Sequence, residues 1–244
     1  MDLTNDLEDI ADHYHLAPQP DAYIEEAYQD HEIKWILHQA KECKRILDLG
    51  LGDGRVFAAL TKMTKDPETE IHIVEASSAL IAKYQPSDPQ TFFHNALFED
   101  FTSELSFDLI IASHVFEHVE DPKILITRLE SLLSRKGILL VVVPNADSLH
   151  RLLAVEIGFQ DDKHDLSARD HLVGHRRVYD LQWLKSEFVD SRLQVVDERG
   201  FFVKPFSNAQ LMDFPLEIIQ GLVRLGDQIP ANLCANIALT VVKD

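Results

Sequence analysis

The sequence predicts an α/β protein: one mostly parallel sheet with helices on both faces. Three observations carry that expectation. Residues 45–49 are a short apolar run, followed by glycines at 50, 52 and 54 and then by helical spacing from about Arg55, so strand, tight turn and helix succeed one another. Short apolar runs alternate with longer amphipathic stretches along the chain, the pattern of βαβ units. Residues 138–143 read Ile-Leu-Leu-Val-Val-Val and are closed by Pro144; such a run suits a strand buried on both faces of a parallel sheet.

The elements follow in order. Residues 1–20 are polar, with Pro18 and Pro20, and read as no regular core element. Residues 21–42 carry Ile24, Ala27, Tyr28, Ile33, Trp35, Ile36 and Leu37 and read as one or two helices beside the glycine turn. Val56, Phe57, Leu60 and Met63 mark the face of the helix after the turn. A second strand over 70–76 ends at Glu75 and Ala76. Ser77 is placed to cap a helix over 77–84. Short strands follow over 90–94 and 107–113. The latter runs into His114-Val115-Phe116-Glu117-His118. Pro122 stands at the start of the next helix, where proline is tolerated, and Gly137 lies past its end. After the 138–143 strand comes an insertion, 145–180, rich in His and Asp. Residues 181–188 read as a helix, and 193–203 as a strand interrupted by Gly200. Residues 206–229 show apolar helical spacing, and 236–242 a last strand. The whole reads as one domain over 1–244, with a 1–42 lid region, a 43–144 core, and additions at 145–180 and 205–232.

Composition narrows the function. The chain has 244 residues, 45% of them hydrophobic, and a net charge of −18 from 41 acidic and 23 basic residues. That balance opposes sequence-independent nucleic-acid binding, which needs cations against phosphates, and opposes an anionic membrane surface. The two cysteines, Cys43 and Cys234, make no disulfide framework or zinc spacing and suit a reducing compartment. The acidic N-terminus lacks the pattern of a signal peptide, and no apolar run approaches the ~20 residues that span a bilayer. The expectation is a cytoplasmic protein.

The glycine turn points to a nucleotide cofactor. Glycine lets backbone approach a ligand closely, and the helix behind it presents unpaired N–H groups. A dinucleotide fingerprint, G-x-G-x-x-G, would need its third glycine at 55, where Arg55 stands. The chain has G-x-G-x-G, with Asp48 just ahead. An acid there is a poor neighbour for a pyrophosphate and a good one for a cation. The plain alternative is a turn that only joins strand to helix.

This stretch resembles the glycine motif of the class I S-adenosylmethionine (SAM)-dependent methyltransferases, whose cofactor carries a sulfonium and an ammonium. The segment from Phe107 to Pro122 is similar to the motif after strand four in ubiquinone-type O-methyltransferases. The resemblance implies a Rossmann-like sheet of seven strands, the last antiparallel between strands five and six. It implies that Asp48, Gly50, Gly52 and Gly54 hold the methionine end of SAM and that Glu75, with Ala76, holds the ribose. Asn95, Ala96 and Leu97 would hold adenine, Asn95 standing where relatives often carry an acid. Ser113 and His114 would touch the methionine part. Gly174-His175-Arg176-Arg177-Val178-Tyr179 resembles a subset found with sugar and glycan pathways. Tyr14 and Tyr23 are lid candidates.

Three histidines are candidate bases: His118, His171 and His175. His114 and His118 are four apart and would share a face on a helix; His118 also reads as a buried, hydrogen-bonded histidine that orders its turn. His164, His171, His175 and nearby acids match no metal spacing, and no metal is expected. The expected function is methyl transfer to a small-molecule acceptor, at an oxygen of a sugar or natural-product intermediate. The alternative is a SAM-binding, non-catalytic partner subunit. An NAD-dependent oxidoreductase is disfavoured by Arg55. The 205–232 segment either caps the substrate pocket or forms a homodimer face.

Overall fold

The structure, a computed structural model, describes residues 19–64, 66–84 and 89–243; the lid candidate Tyr14 lies outside them. In chain order the elements are α1 (Ala22–Ala40), β1 (Arg45–Leu49), α2 (Arg55–Met63), β2 (Glu70–Glu75), α3 (Ser78–Tyr84), β3 (Thr91–Asn95), β4 (Phe107–Ser113), α4 (Pro122–Leu132) and β5 (Leu133–Pro144). Then come α5 (Leu149–Glu156), α6 (Ala168–Leu172), α7 (Leu181–Ser186), β6 (Leu193–Phe201), α8 (Asn208–Leu211), α9 (Leu216–Leu225) and β7 (Asn236–Lys243).

The seven strands form one sheet in the order β3-β2-β1-β4-β5-β7-β6. β1 to β5 are parallel, and β7 runs antiparallel to both β5 and β6, as the family resemblance implies. The two-residue period of the strands sorts the core into two faces. Leu47, Ile110, Leu139 and Val141 point toward α4 and α7, among Leu125, Leu129 and Leu184. Ile46, Ile73, Ile111 and Leu140 point to the other face, against Trp35 and Ile36 of α1 and Phe57 and Leu60 of α2. Both faces are covered, which is why the central strands are apolar at every position.

The strand order reverses between β1 and β4. In open α/β sheets the crevice outside the carboxyl ends of strands at such a reversal is where ligands bind. The glycine turn follows β1 at that point, and the His114 turn follows β4.

Three expectations need correction. Gly200 does not interrupt β6: it pairs with Ile237 inside the β6–β7 ladder. Its reason is space, since a Cβ there would meet Cys234 Sγ at 2.6 Å and the Ala231 carbonyl at 2.8 Å. β5 begins at Leu133, directly after α4, because Leu133 already pairs with Phe107 before the register shifts. His114 and His118 do not share a helical face. They lie in a turn, and His114 has φ 56, a left-handed conformation that costs a non-glycine residue free energy.

Candidate active site

The glycine turn is left-handed at each glycine, with φ 91, 50 and 81 at Gly50, Gly52 and Gly54. Gly50 N–H donates to the Val74 carbonyl at 2.8 Å, and Gly54 N–H to the Leu51 carbonyl at 2.8 Å. A Cβ at Gly54 would collide with the Tyr84 ring, whose hydroxyl donates to the Asp53 carbonyl at 2.6 Å. Glu75 at the end of β2 ties the turn together: its carboxylate accepts from Leu51 N–H at 2.9 Å and from Ser77 N–H at 2.8 Å.

Beside this turn the fold buries several acids. Asp48 and Glu32 are each 3% exposed, and Asp48 Oδ2 and Glu32 Oε2 have no hydrogen-bond partner. Glu32 reaches in from α1 and accepts from Ser113 Oγ at 2.5 Å. Burial, with the Glu32 and Glu75 charges added, holds the Asp48 carboxyl well above its usual pKa. A buried carboxyl with a free oxygen is costly unless a partner arrives. The partner this cluster suits is a cation.

His114 supplies part of that counter-charge. Its Nδ1 lies 3.1 Å from Glu117 Oε1, and its Nε2 is 4.0 Å from Glu32 Oε2. Burial opposes charging this ring. The Glu117 hydrogen bond and charge, with Glu32 behind them, outweigh burial and raise its pKa to about 9. Glu117 is fully buried, so the two form an imidazolium–carboxylate pair under the β4 turn.

The insertion closes the other side. Arg177 donates to the carbonyls of Phe116, Val119 and Glu120 and so clamps the β4 turn. His175 Nδ1 lies 2.8 Å from Asp170 Oδ1, and Asp170 also pairs with Arg151 at 2.5 Å. Burial opposes ionising Asp170, but its bonds to His175, Arg151 and Ser167 hold its carboxyl below the usual range. The His118 and His175 rings meet edge to face, 4.8 Å apart. Burial pulls His118 down to about 4, so it is neutral at physiological pH. Glu117, His118 and His175 bring ligand atoms within 4.8 Å of one another. Tetrahedral zinc, with metal–nitrogen bonds near 2 Å, holds its ligand atoms about 3.4 Å apart, so this cluster is looser than a formed zinc site.

One cavity of about 910 Å³ runs between these walls. Of the residues singled out in the sequence, it brings together Asp48, Gly50, Gly52, Glu75, Ser113, His114, His118 and His175. Gly54, Ala76, Asn95, Ala96 and Leu97 are not on its wall; Phe98 and Leu80 occupy that side. The Asn95 amide donates to the Glu75 and Ala76 carbonyls and fastens β3 to β2. His171 is exposed on α6, away from the cavity. Tyr23 donates its hydroxyl to the Met212 carbonyl at 3.3 Å, joining α1 to the segment after α8.

Glu32 and Lys204 line the cavity and were not singled out in the sequence. The signal for Glu32 was there: Ile24, Tyr28, Glu32, Trp35 and Ile36 make one stripe at helical spacing, and a carboxylate on an apolar stripe is a buried acid in need of a role. Lys204 had no such signal.

The family pattern described as "Methyltransferase domain" matches residues 20–198. The chain belongs to this family and has the class I SAM-dependent methyltransferase fold, the site lying at the topological switch point. Among curated proteins, a trans-aconitate 2-methyltransferase of Enterobacter sp. (strain 638) is 32% identical over 137 residues, 56% of this chain and 53% of that protein. One from Escherichia coli O1:K1 / APEC is 30% identical over 138 residues, with 56% and 53% covered. The chain spans about half the length of the curated relatives it matches. Among solved structures, a SAM-dependent methyltransferase from Mesorhizobium loti aligns with TM-score 0.62 and 14% identity over 89% of this chain and 99% of its own. The N-methyltransferase NodS from Bradyrhizobium japonicum WM9, in complex with S-adenosylhomocysteine, aligns with TM-score 0.57 and 12% identity over 98% and 96%. At these identities the structural likeness concerns the fold.

Proposed function

We propose that the protein is a SAM-dependent methyltransferase that transfers a methyl group to an oxygen of a small-molecule acceptor. The observation that carries this is the set of buried carboxylates, Glu32, Asp48 and Glu75, around a left-handed glycine turn. Two of them keep an unpartnered oxygen, which suits a ligand with an ammonium and a sulfonium. Asp48, Gly50 and Gly52 take the methionine end, with Ser113 and His114 across from them. Glu75, at the end of β2 on the cavity wall, takes the ribose hydroxyls. Phe98, with Asn95, Ala96 and Leu97 beside it, takes adenine.

Bound SAM supplies a methyl already activated by its sulfonium; transfer breaks the S–C bond, leaves the electron pair on sulfur and joins the methyl to the acceptor oxygen. The chain aligns that oxygen and, where the oxygen is a hydroxyl, takes its proton. His175 is the base in this reading: Asp170 accepts from Nδ1–H, which leaves Nε2 to receive the proton. His118, neutral and half-buried, shapes the turn instead, and exposed His171 has no part. The sugar-pathway likeness of the 174–179 segment and the trans-aconitate relatives suggest different acceptors, so the class of acceptor is taken up below. A homodimer through the exposed Phe214, Leu216 and Ile218 belongs to the same proposal, and sedimentation measures it.

The test is product formation. With methyl-labelled SAM and a panel of hydroxylated sugars and carboxylic acids, we expect S-adenosylhomocysteine to appear with label on one acceptor class. Binding of SAM with no transfer to any member would favour the non-catalytic partner.

A further inference from the structure

The cavity wall carries cations as well as the acids described above. Lys204, Arg151 and Arg169 line it, contributed by the segment after β6, α5 and α6. In a chain of net charge −18, cations on a cavity wall should find carboxylates easily, and three of the four that line it do. Arg55 pairs with Asp30 and Glu26, Arg151 with Asp170, and Arg169 with Asp21 and Glu25. Lys204 is the fourth. Among the described residues no carboxylate lies within ion-pair distance of it.

Its surroundings make that lack costly. Lys204 is half-buried. Burial, then the nearby Arg169 and Arg151 charges, outweigh the Glu25 and Asp21 carboxylates, which stand beyond ion-pair distance, and bring its ammonium down to about 8. His150, whose backbone N–H donates to the Lys204 carbonyl at 2.9 Å, adds a buried Nδ1 with no hydrogen-bond partner. Two residues earlier Phe202 takes φ 65 while fully buried. That is a strained conformation for a large side chain, of the kind found where a site fixes the backbone. It sits where the chain leaves β6 for the cavity wall.

Resting on the methyltransferase reading, we propose that the acceptor is a carboxylic acid, and that Lys204 is the residue that selects it by pairing with a carboxylate of the acceptor. The paired carboxylate is the anchor; the methyl goes to another oxygen of the same molecule, beside the cofactor. A single ammonium matches the single charge of a carboxylate, whereas phosphate sites commonly gather an Arg fork or several donors, and here both neighbouring arginines are already committed to acids. His150 Nδ1, uncharged, is placed to receive a hydroxyl of the same acceptor.

The experiment uses the full chain saturated with S-adenosylhomocysteine. Calorimetric titrants are trans-aconitate, citrate, succinate, the neutral trimethyl ester of trans-aconitate, and inorganic phosphate. We expect at least one of the acids to bind and the ester not to bind. Lys204→Met should weaken that acid tenfold or more and leave S-adenosylhomocysteine affinity unchanged, while Lys204→Arg restores most of it. In turnover with the acid that binds, Lys204→Met should raise KM by a similar factor and change kcat little. The proposal is overturned if the loaded protein binds none of the acids, if the ester or phosphate binds as well as they do, or if Lys204→Met binds them as tightly as the wild type. Failure to bind S-adenosylhomocysteine at the outset would instead overturn the cofactor reading on which this one rests.

Discussion

Glu75 shows how one side chain serves both fold and site. Its carboxylate accepts from Leu51 N–H inside the glycine turn and from Ser77 N–H just after β2, so cutting it to alanine would loosen the turn as well as the ribose contact. Glu75→Gln keeps the size of the side chain and one of its two acceptor oxygens, and removes the charge. Hydrogen bonds to charged groups contribute roughly 1.5–3 kcal/mol each, so we expect this variant to weaken S-adenosylhomocysteine at least tenfold by calorimetry with an unchanged circular dichroism spectrum. Equal affinity would leave Glu75 a purely structural tie. His114 yields a prediction in pH. Its folded pKa, about 9, lies above the ordinary value of 6.5. The stabilisation is therefore complete below pH 6.5 and is lost as pH rises through 9. One proton bound more tightly by the folded state gives a slope of up to about 1.4 kcal/mol per pH unit. Urea midpoints of the wild type should fall between pH 6.5 and 9 more steeply than those of His114→Asn, in which asparagine tolerates the left-handed backbone. Parallel curves would show that the ring does not titrate there. Residues were only partly legible in the sequence. Asp48, Gly50 and Gly52 were, because turn chemistry is local. Lys204 was not, because its meaning lies in carboxylates it does not meet, and those partners come from distant segments.

Elements were more legible than residues. β1, β4 and α2 lie where apolar runs and glycine spacing put them, because burial on both sheet faces leaves a continuous local signal. The misplaced features depended on neighbours: Gly200 reads as a breaker in one dimension, yet it is the place where β6 passes against Cys234. Gly200→Ala should destabilise the protein by roughly 1–3 kcal/mol, the range for overpacking a filled core, visible as a lower urea midpoint. An unchanged midpoint would mean the β6 ladder gives way without loss. The histidines also sort by element. His175, held by Asp170 on the insertion, faces the cavity; His118 sits in the β4 turn; His171 faces solvent. With an acceptor methylated at a hydroxyl, we expect His175→Ala to depress turnover about 10²–10⁴-fold, the range of general-base help, with S-adenosylhomocysteine affinity nearly intact. His118→Ala should disturb both, and His171→Ala neither. Wild-type turnover in His175→Ala would place the base elsewhere or show that the acceptor needs none.

At the scale of the molecule, the acidic composition and the cavity belong together. In the sequence the excess of acid argues against nucleic acid and against an anionic membrane surface. The structure adds that part of it is buried, with Asp48 and Glu75 at the ends of β1 and β2 and Glu32 on α1, all on the cavity wall. The central claim is that this cavity holds SAM and not a dinucleotide. Calorimetric titration of the wild type with S-adenosylhomocysteine, SAM and NAD tests it most directly. The account predicts micromolar or tighter binding of both adenosyl ligands and NAD weaker by at least tenfold. Tight NAD binding, with no detectable binding of either adenosyl ligand, would contradict it.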